Sequence, residues 1–295
     1  MDRRFDLKVT YQCNNSCRLC VQGDKRRRFP NHPRLSYLKK ILKTKRATCR
    51  QVVFTGGEPT VRPDIFELIA CAKGLAYEVQ IQTNGRMFAY KDFAKRAVHM
   101  GVDSFGVSLH GADARTQDFL TRVPGSFEQA TRGIANLLSL RAVVATNTVV
   151  IKHNYRQLLK LVDLFHDLGV TQFQLAYPHI LGEARRNRKA LVLKKSVVVP
   201  FVLAAVGRGL SYKMVPKIEA IPACLLGRYK GYLTDGEIPY TWVWERAGAR
   251  DFTAWRKAKG KAHGEACRSC RLSGRCEGPW REYVTYYGWD EFHAR

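Results

Sequence analysis

The chain has 295 residues, 45% of them hydrophobic, enough to bury one large α/β domain or a domain with an appendage. Lys and Arg outnumber Asp and Glu by 50 to 25, a formal charge of +25. The opening Met-Asp-Arg-Arg-Phe-Asp lacks the apolar run of a signal peptide, and no segment is long enough to span a bilayer, so a soluble cytoplasmic protein without a membrane partner is expected.

From Phe5 to about Pro178, short β-branched runs alternate with longer amphipathic segments. The predicted strands are Leu7–Thr10, Gln51–Thr55, Glu78–Thr83, Ser104–Leu109, Val143–Ile151 and Gln172–Ala176. Between them, one helix is predicted to start near Pro63 and run through Ile65, Leu68, Ile69 and Ala72 to Gly74. Another is predicted to be capped by Asn154, to bury Leu158, Leu159, Val162 and Phe165, and to stop at Gly169. Repeated strand–helix units imply an α/β fold with a parallel sheet, open or curled toward a barrel, with its site at the carboxyl ends of the strands. Residues 190–222 read as a further helix and a connection. From Cys224 the pattern turns to Gly, Trp, Tyr and charged residues, which places a domain boundary near 220 and divides the chain into 1–220 and 221–295.

The first chemical signal follows the first predicted strand. Cys13, Cys17 and Cys20 form C-x3-C-x2-C with no fourth cysteine nearby. A four-iron cluster is normally held by four thiolates, so three leave one iron open for a ligand. The second signal follows the second strand, at Gly56-Gly57-Glu58-Pro59. Two glycines there let backbone pass close to a ligand, and the Glu58 carboxylate can hold an ammonium group. Seven of the nine cysteines fall in two spaced groups, which in a reducing compartment points to metal rather than disulfides. Cys49 and Cys71 stand alone and read as buried small residues.

In these residues the chain resembles the radical S-adenosylmethionine (radical SAM) superfamily, over essentially all of residues 5–180. The resemblance implies a partial (βα)6 barrel in which Cys13, Cys17 and Cys20 ligate a [4Fe–4S] cluster. It makes Gly56, Gly57, Glu58 and Pro59 the turn that binds the methionine amino group of S-adenosylmethionine. Gln82-Thr83-Asn84-Gly85 and Ser108-Leu109-His110-Gly111 match the family's third and fourth strand ends, which adds Asn84 and Ser108 to the cofactor site. Ser108 is expected near the ribose, and Asn147 on the fifth strand in the same region. Two positions depart from the pattern: Leu19 stands where an aromatic residue is usual, and His110 replaces an Asp.

Cys267, Cys270 and Cys276, with Cys224 upstream, resemble the SPASM/twitch extensions that hold auxiliary clusters. Trp280 occupies the position of a further cysteine, so the four that remain suit one fully ligated [4Fe–4S] cluster. Four thiolates equally suit a structural zinc. The aromatic tail from Tyr283 reads as packing for this small domain.

The resemblance implies reductive cleavage of S-adenosylmethionine to a 5′-deoxyadenosyl radical that abstracts hydrogen from a peptide or small metabolite, ending in net oxidation or bond formation. An acidic electron donor such as flavodoxin or ferredoxin is implied as a partner. A first strand near residue 6 leaves no room for an N-terminal leader-binding domain, so any such function would be encoded separately. Residues 25–50 hold eleven Lys or Arg and no acidic residue, and a second basic run lies at 185–195. These keep RNA or a phosphorylated compound open as substrate, and the electron donor as a docked partner. The reading from another class is a non-catalytic iron–sulfur protein that binds nucleic acid or senses redox state. No acid or base is assigned. His110, His153 and His179 stand near strand ends as candidates to face the cavity.

Overall fold

The computed structural model describes residues 3–246 and 248–295. Its strands are β1 Arg3–Thr10, β2 Gln51–Gly56, β3 Glu78–Thr83, β4 Ser104–Ser108, β5 Val144–Val149, β6 Gln172–Ala176, β7 Val215–Glu219, β8 Tyr240–Glu245 and β9 Gly248–Asp251. They form one sheet in the order β7-β6-β5-β4-β3-β2-β1-β8-β9. Every pairing is parallel except β8 with β9.

Parallel neighbours need a crossover, and β1 to β7 are joined one after another in the same direction. Right-handed crossovers that never reverse put their helices on a single face. The strands record the consequence. Along β5 the residues alternate between buried Val144, Thr146 and Thr148 and half-buried Ala145, Asn147 and Val149. A parallel sheet covered on both sides would read as a continuous apolar run. One face therefore packs against helices, and the other is left for the site. The packed face is well filled: Phe5, Leu7, Val52, Phe54, Val79, Ile81, Phe105 and Val107 are buried in one core that also takes in Phe292 near the C-terminus.

Helix Leu158–Asp167 buries Leu158, Leu161, Val162 and Phe165. Leu159, predicted to face inward, is instead exposed, because it sits 100° around the helix from Leu158 while positions three, four and seven residues on share its face. Asn154 does not cap this helix. Its side chain instead accepts from Ile151 N (2.8 Å) and donates to the His110 and Val149 carbonyls (2.7 and 2.8 Å), tying the ends of β4 and β5 together. The helix after Pro63 begins at Ile65; Asp64 just ahead of it grips Arg62 at 2.6 and 2.7 Å. Cys49 is buried as predicted, whereas Cys71 is half-buried.

β7 extends the β6 edge of the sheet. Residues 221–295 are mostly short helical turns, but β8 leaves them to pair with β1, aligning Arg3 with Tyr240 and Leu7 with Trp244. The C-terminal segment is further locked by buried polar contacts. Lys195 donates to the Ala220 carbonyl (2.8 Å) and lies over the Tyr177 ring at 3.2 Å. Glu291 accepts from Ser196 N (2.7 Å) and from the Tyr283 hydroxyl. Tyr283 is fully buried and packs on Tyr177, Tyr287 and Phe292. Among the described residues, no helix is long and apolar enough to cross a membrane.

Candidate active site

A cleft of about 480 Å³ opens at the carboxyl ends of β1 to β5. Cys13, Cys17 and Cys20 line it, and Gly56, Gly57, Glu58, Asn84, Ser108 and Asn147 complete its wall. Pro59 does not reach the cleft; it opens the buried 3-10 turn Pro59–Val61 behind it.

The glycines serve a neighbour more than a ligand. Gly57 N donates to Thr10 O (2.7 Å) and Glu58 N to Gln12 O (2.8 Å), laying this turn directly on the cysteine loop. A Cβ on Gly56 would stand 2.1 Å from Thr10 O, and one on Gly57 2.3 Å from Gln12 O. Gly56 also has a φ of +128°, a region that only glycine enters readily. The two signals read separately in the sequence are thus one object.

Glu58 is buried at the centre of that object. One carboxylate oxygen accepts from Thr60 N (3.1 Å), Thr60 Oγ1 (2.7 Å) and Thr83 Oγ1 (2.8 Å). The other accepts only from Asn84 N (2.6 Å), which leaves it capacity for an incoming ammonium. Burial pushes the Glu58 carboxyl above its usual range, against the pull of these hydrogen bonds. A cation placed there would favour the ionised form.

The cysteine loop is held from several sides, by Asn84 of the third strand-end motif and by residues that no local motif announces. Arg86 donates to the Asn14 carbonyl, to Asn15 Oδ1 (2.9 Å) and to Gln129 (2.6 Å). Asn84 donates to Asn14 Oδ1 (2.7 Å). Ser16 N and Arg18 N bond the Thr121 and Leu120 carbonyls, at the end of helix Ala114–Thr121. Arg86 follows Thr-Asn-Gly directly, and that adjacency is its only trace in the sequence.

Burial raises the Cys13 thiol to about 11 and the Cys17 thiol to about 12, and raises Cys20 as well. As buried thiols they are poor nucleophiles, and any metal bound by these sulfurs would have to displace their protons.

Of the three histidines, only His110 lines the cleft. Its Nδ1 accepts from Val149 N at 3.2 Å, and burial lowers its pKa to about 4. His153 stacks on Phe119 at 4.9 Å. His179 bonds Glu282 (2.9 Å) and packs on Trp280 at 3.6 Å, bracing the C-terminal segment. A neutral His110 has a measurable consequence. The unfolded chain binds the proton that the folded chain excludes, so stability is complete above about pH 6.5 and is lost as pH falls toward 4. His110→Asn, which keeps an acceptor, should remove up to ~3 kcal/mol of that loss. Urea unfolding of both proteins across pH 4–7 measures the difference.

A second hollow, of about 20 Å³, is lined by Cys224, Cys267, Cys270 and Cys276, all free thiols. Burial raises the Cys224 and Cys276 thiols. Gly278, at φ +78°, lets the turn after Cys276 pass the Ala262 carbonyl, where a Cβ would sit 2.0 Å away. Trp280 is buried against Lys261, at 4.4 Å, and His179.

A mostly parallel sheet with helices, whose strand ends carry a cleft lined by three free thiols, defines the class of an α/β protein. A family model described as the radical SAM superfamily matches residues 7–186. The chain belongs to that superfamily, and membership implies a [4Fe–4S] cluster and S-adenosylmethionine as its cofactors. It is 30% identical over 160 residues to an AdoMet-dependent heme synthase of Nitratidesulfovibrio vulgaris, covering 53% of this chain and 43% of that protein. It is 32% identical over 185 residues to a probable GTP 3′,8-cyclase of Saccharolobus solfataricus, covering 60% and 58%. The chain thus spans about half the length of these relatives. Among solved structures it is similar to Streptococcus suis SuiB bound to S-adenosylmethionine, with a TM-score of 0.70, 15% identity and coverage of 99% of this chain and 76% of that one. It is also similar to anSMEcpe with bound AdoMet and Kp18Cys peptide, with a TM-score of 0.59, 17% identity and coverage of 74% and 64%. At these identities the likeness is one of fold.

Proposed function

We propose that the chain cleaves S-adenosylmethionine reductively and uses the resulting radical to take hydrogen from a peptide or small metabolite, in a net oxidation or bond-forming modification. The observation that carries this reading is the union of the cysteine loop with Gly56, Gly57 and Glu58 in one cleft wall. Cys13, Cys17 and Cys20 would hold the cluster, and Glu58 would bind the cofactor's amino group through its less occupied oxygen. Ser108 and Asn147, aligned on adjacent strands, would border the ribose. When bound, the cluster and S-adenosylmethionine supply one-electron reduction and a primary carbon radical. The protein's own part is positional: Arg86, Asn84 and Gln129 fix the loop, while the packed sheet behind the cleft excludes water. Anaerobic reduction with S-adenosylmethionine should yield 5′-deoxyadenosine; a cluster-loaded chain that yields none refutes the proposal.

The reading extends to an auxiliary [4Fe–4S] cluster on Cys224, Cys267, Cys270 and Cys276. Cys224, Cys267, Cys270 and Cys276 line one small hollow together, and beside a radical SAM core four grouped thiols favour a cluster, although four thiolates also suit a structural zinc. A fully ligated cluster can accept or relay an electron, which supports an oxidative outcome. Cys270→Ser should lower iron from roughly eight to roughly four atoms per chain while the first cluster remains. Zinc recovered in place of that iron would settle against the auxiliary cluster.

Peptide substrates gain support from the similar folds of SuiB, solved with its precursor peptide SuiA, and of anSMEcpe, solved with peptides. A phosphorylated or carboxylated small molecule is favoured by a different observation: Arg26, Arg27 and Arg122 line the cleft, together with Arg186 paired to Glu183, while the other acidic lining residue, Glu58, is buried.

A further inference from the structure

A second opening, of about 770 Å³, lies between helix Leu35–Arg46 and the end of β8, and shares no lining residue with the catalytic cleft. Its walls carry His32, Arg34, Lys40 and Arg246 around Tyr37 and Trp244. This is the heart of the acid-free stretch 25–50. Among the described residues, no carboxylate pairs with Arg34, Lys40 or Arg246, although the adjacent Lys25 and Lys39 are paired with Glu245 and Glu67. The local acid, Glu245, is already held by both Lys8 and Lys25 at 2.7 Å. A concave surface with this much uncompensated positive charge is a field for an anionic partner.

Its position relative to the cysteine loop says which kind. His32 Nδ1 shares a 2.8 Å hydrogen bond with Thr10 Oγ1, which accepts from Gln12 N at 3.0 Å, and Gln12 adjoins Cys13. Gln12 also donates to the Arg26 and Phe29 carbonyls, both at 3.2 Å, and Arg62 joins the Val9 and Pro33 carbonyls. The groove is therefore the outer side of the wall whose inner side carries the first cluster ligand. A partner seated there lies against the segment that leads into Cys13 and leaves the cleft free for its own ligands. Nucleic acid fits less well. Tyr37 is 48% exposed, but Trp244 beneath it is only 4% exposed, so successive bases have no run of open rings to stack on.

We propose that this groove docks an acidic one-electron carrier protein, which reduces the cluster held by Cys13, Cys17 and Cys20; the inference rests on the radical SAM reading. One electron passes from carrier to cluster, and no bond or proton changes hands at this surface. The test uses the full chain, reconstituted, with reduced flavodoxin as the probe and dithionite as the small-molecule control. Arg34, Lys40 and Arg246 are replaced together by Glu, and in a milder variant by Gln. Cluster bleaching by flavodoxin in stopped flow at low ionic strength should slow at least about tenfold in the Glu variant and less in the Gln variant. The wild-type rate should fall steeply with added salt. Iron content and the dithionite rate should not change. An unchanged flavodoxin rate, a wild-type rate flat in salt, or a parallel fall with dithionite in both variants would overturn the proposal. So would loss of single-stranded oligonucleotide binding with the flavodoxin rate intact. If the wild type makes no 5′-deoxyadenosine even with dithionite, the radical SAM reading itself fails, a result separate from all of these.

Discussion

Gly57→Ala is expected to give a folded chain that has lost most of the iron of its N-terminal site and forms 5′-deoxyadenosine at least about a hundredfold more slowly. The added Cβ would lie 2.3 Å from Gln12 O and 2.6 Å from Tyr11 O, and both obstacles are backbone. No flexible side-chain end can yield, so the loop must shift or the turn must open. Either movement breaks the Gly57–Thr10 and Glu58–Gln12 hydrogen bonds that set the loop bearing Cys13. The substitution is remote from the auxiliary cysteines, so their iron should survive. Iron analysis of the variant beside Cys270→Ser separates the two sites. Full iron retention in Gly57→Ala would show that the close contact is not what shapes the three-thiol centre.

Glu58→Gln should leave iron in place but weaken S-adenosylmethionine binding about ten- to a hundredfold, as read by equilibrium dialysis. The amide keeps the shape of the carboxylate while removing the anionic oxygen that would accept from the cofactor's amino N–H groups, and charge-assisted hydrogen bonds are the stronger kind. Glu58→Ala is a less clean experiment. It would strip partners from Thr60 N, Thr83 Oγ1 and Asn84 N, and leaving buried donors unpaired costs about 1–3 kcal/mol each. Asn84 also bonds Asn14, so Ala would disturb the loop as well as the ligand site. Equal affinity in the Gln variant would remove Glu58 from the cofactor site.

The six strands from β1 to β6 were legible because each is a short run with alternating apolar residues, β-branched in most of them, and two of them, Glu78–Thr83 and Gln172–Ala176, match to the residue. β7 was not, because Val-Pro-Lys-Ile-Glu carries Pro216, which argues against a strand unless that strand lies at an edge, and this one does. β8 was hidden differently. Its partner β1 lies more than two hundred residues away, and no local pattern states that Tyr240 will align with Arg3. The cysteine spacings and the Gly-Gly-Glu-Pro turn disclosed the site because their chemistry is contiguous in sequence. Arg86 and Gln12, which hold that chemistry in place, work through hydrogen bonds between distant segments, as does the bond to Asn14 from Asn84, a residue that its own motif disclosed. Such bonds leave no periodicity to read. The role of the glycines was visible only in part: the sequence showed a need for bare backbone, and the structure shows that the neighbour requiring it is the cysteine loop.

The most direct test is electron–nuclear double resonance of the reduced Cys270→Ser chain with S-adenosylmethionine carrying ¹⁵N in its amino group. Coupling of that nitrogen to the cluster, abolished in a Cys17→Ala variant, is the predicted result. A reduced cluster whose spectrum is identical with and without the labelled compound would contradict the account at its root.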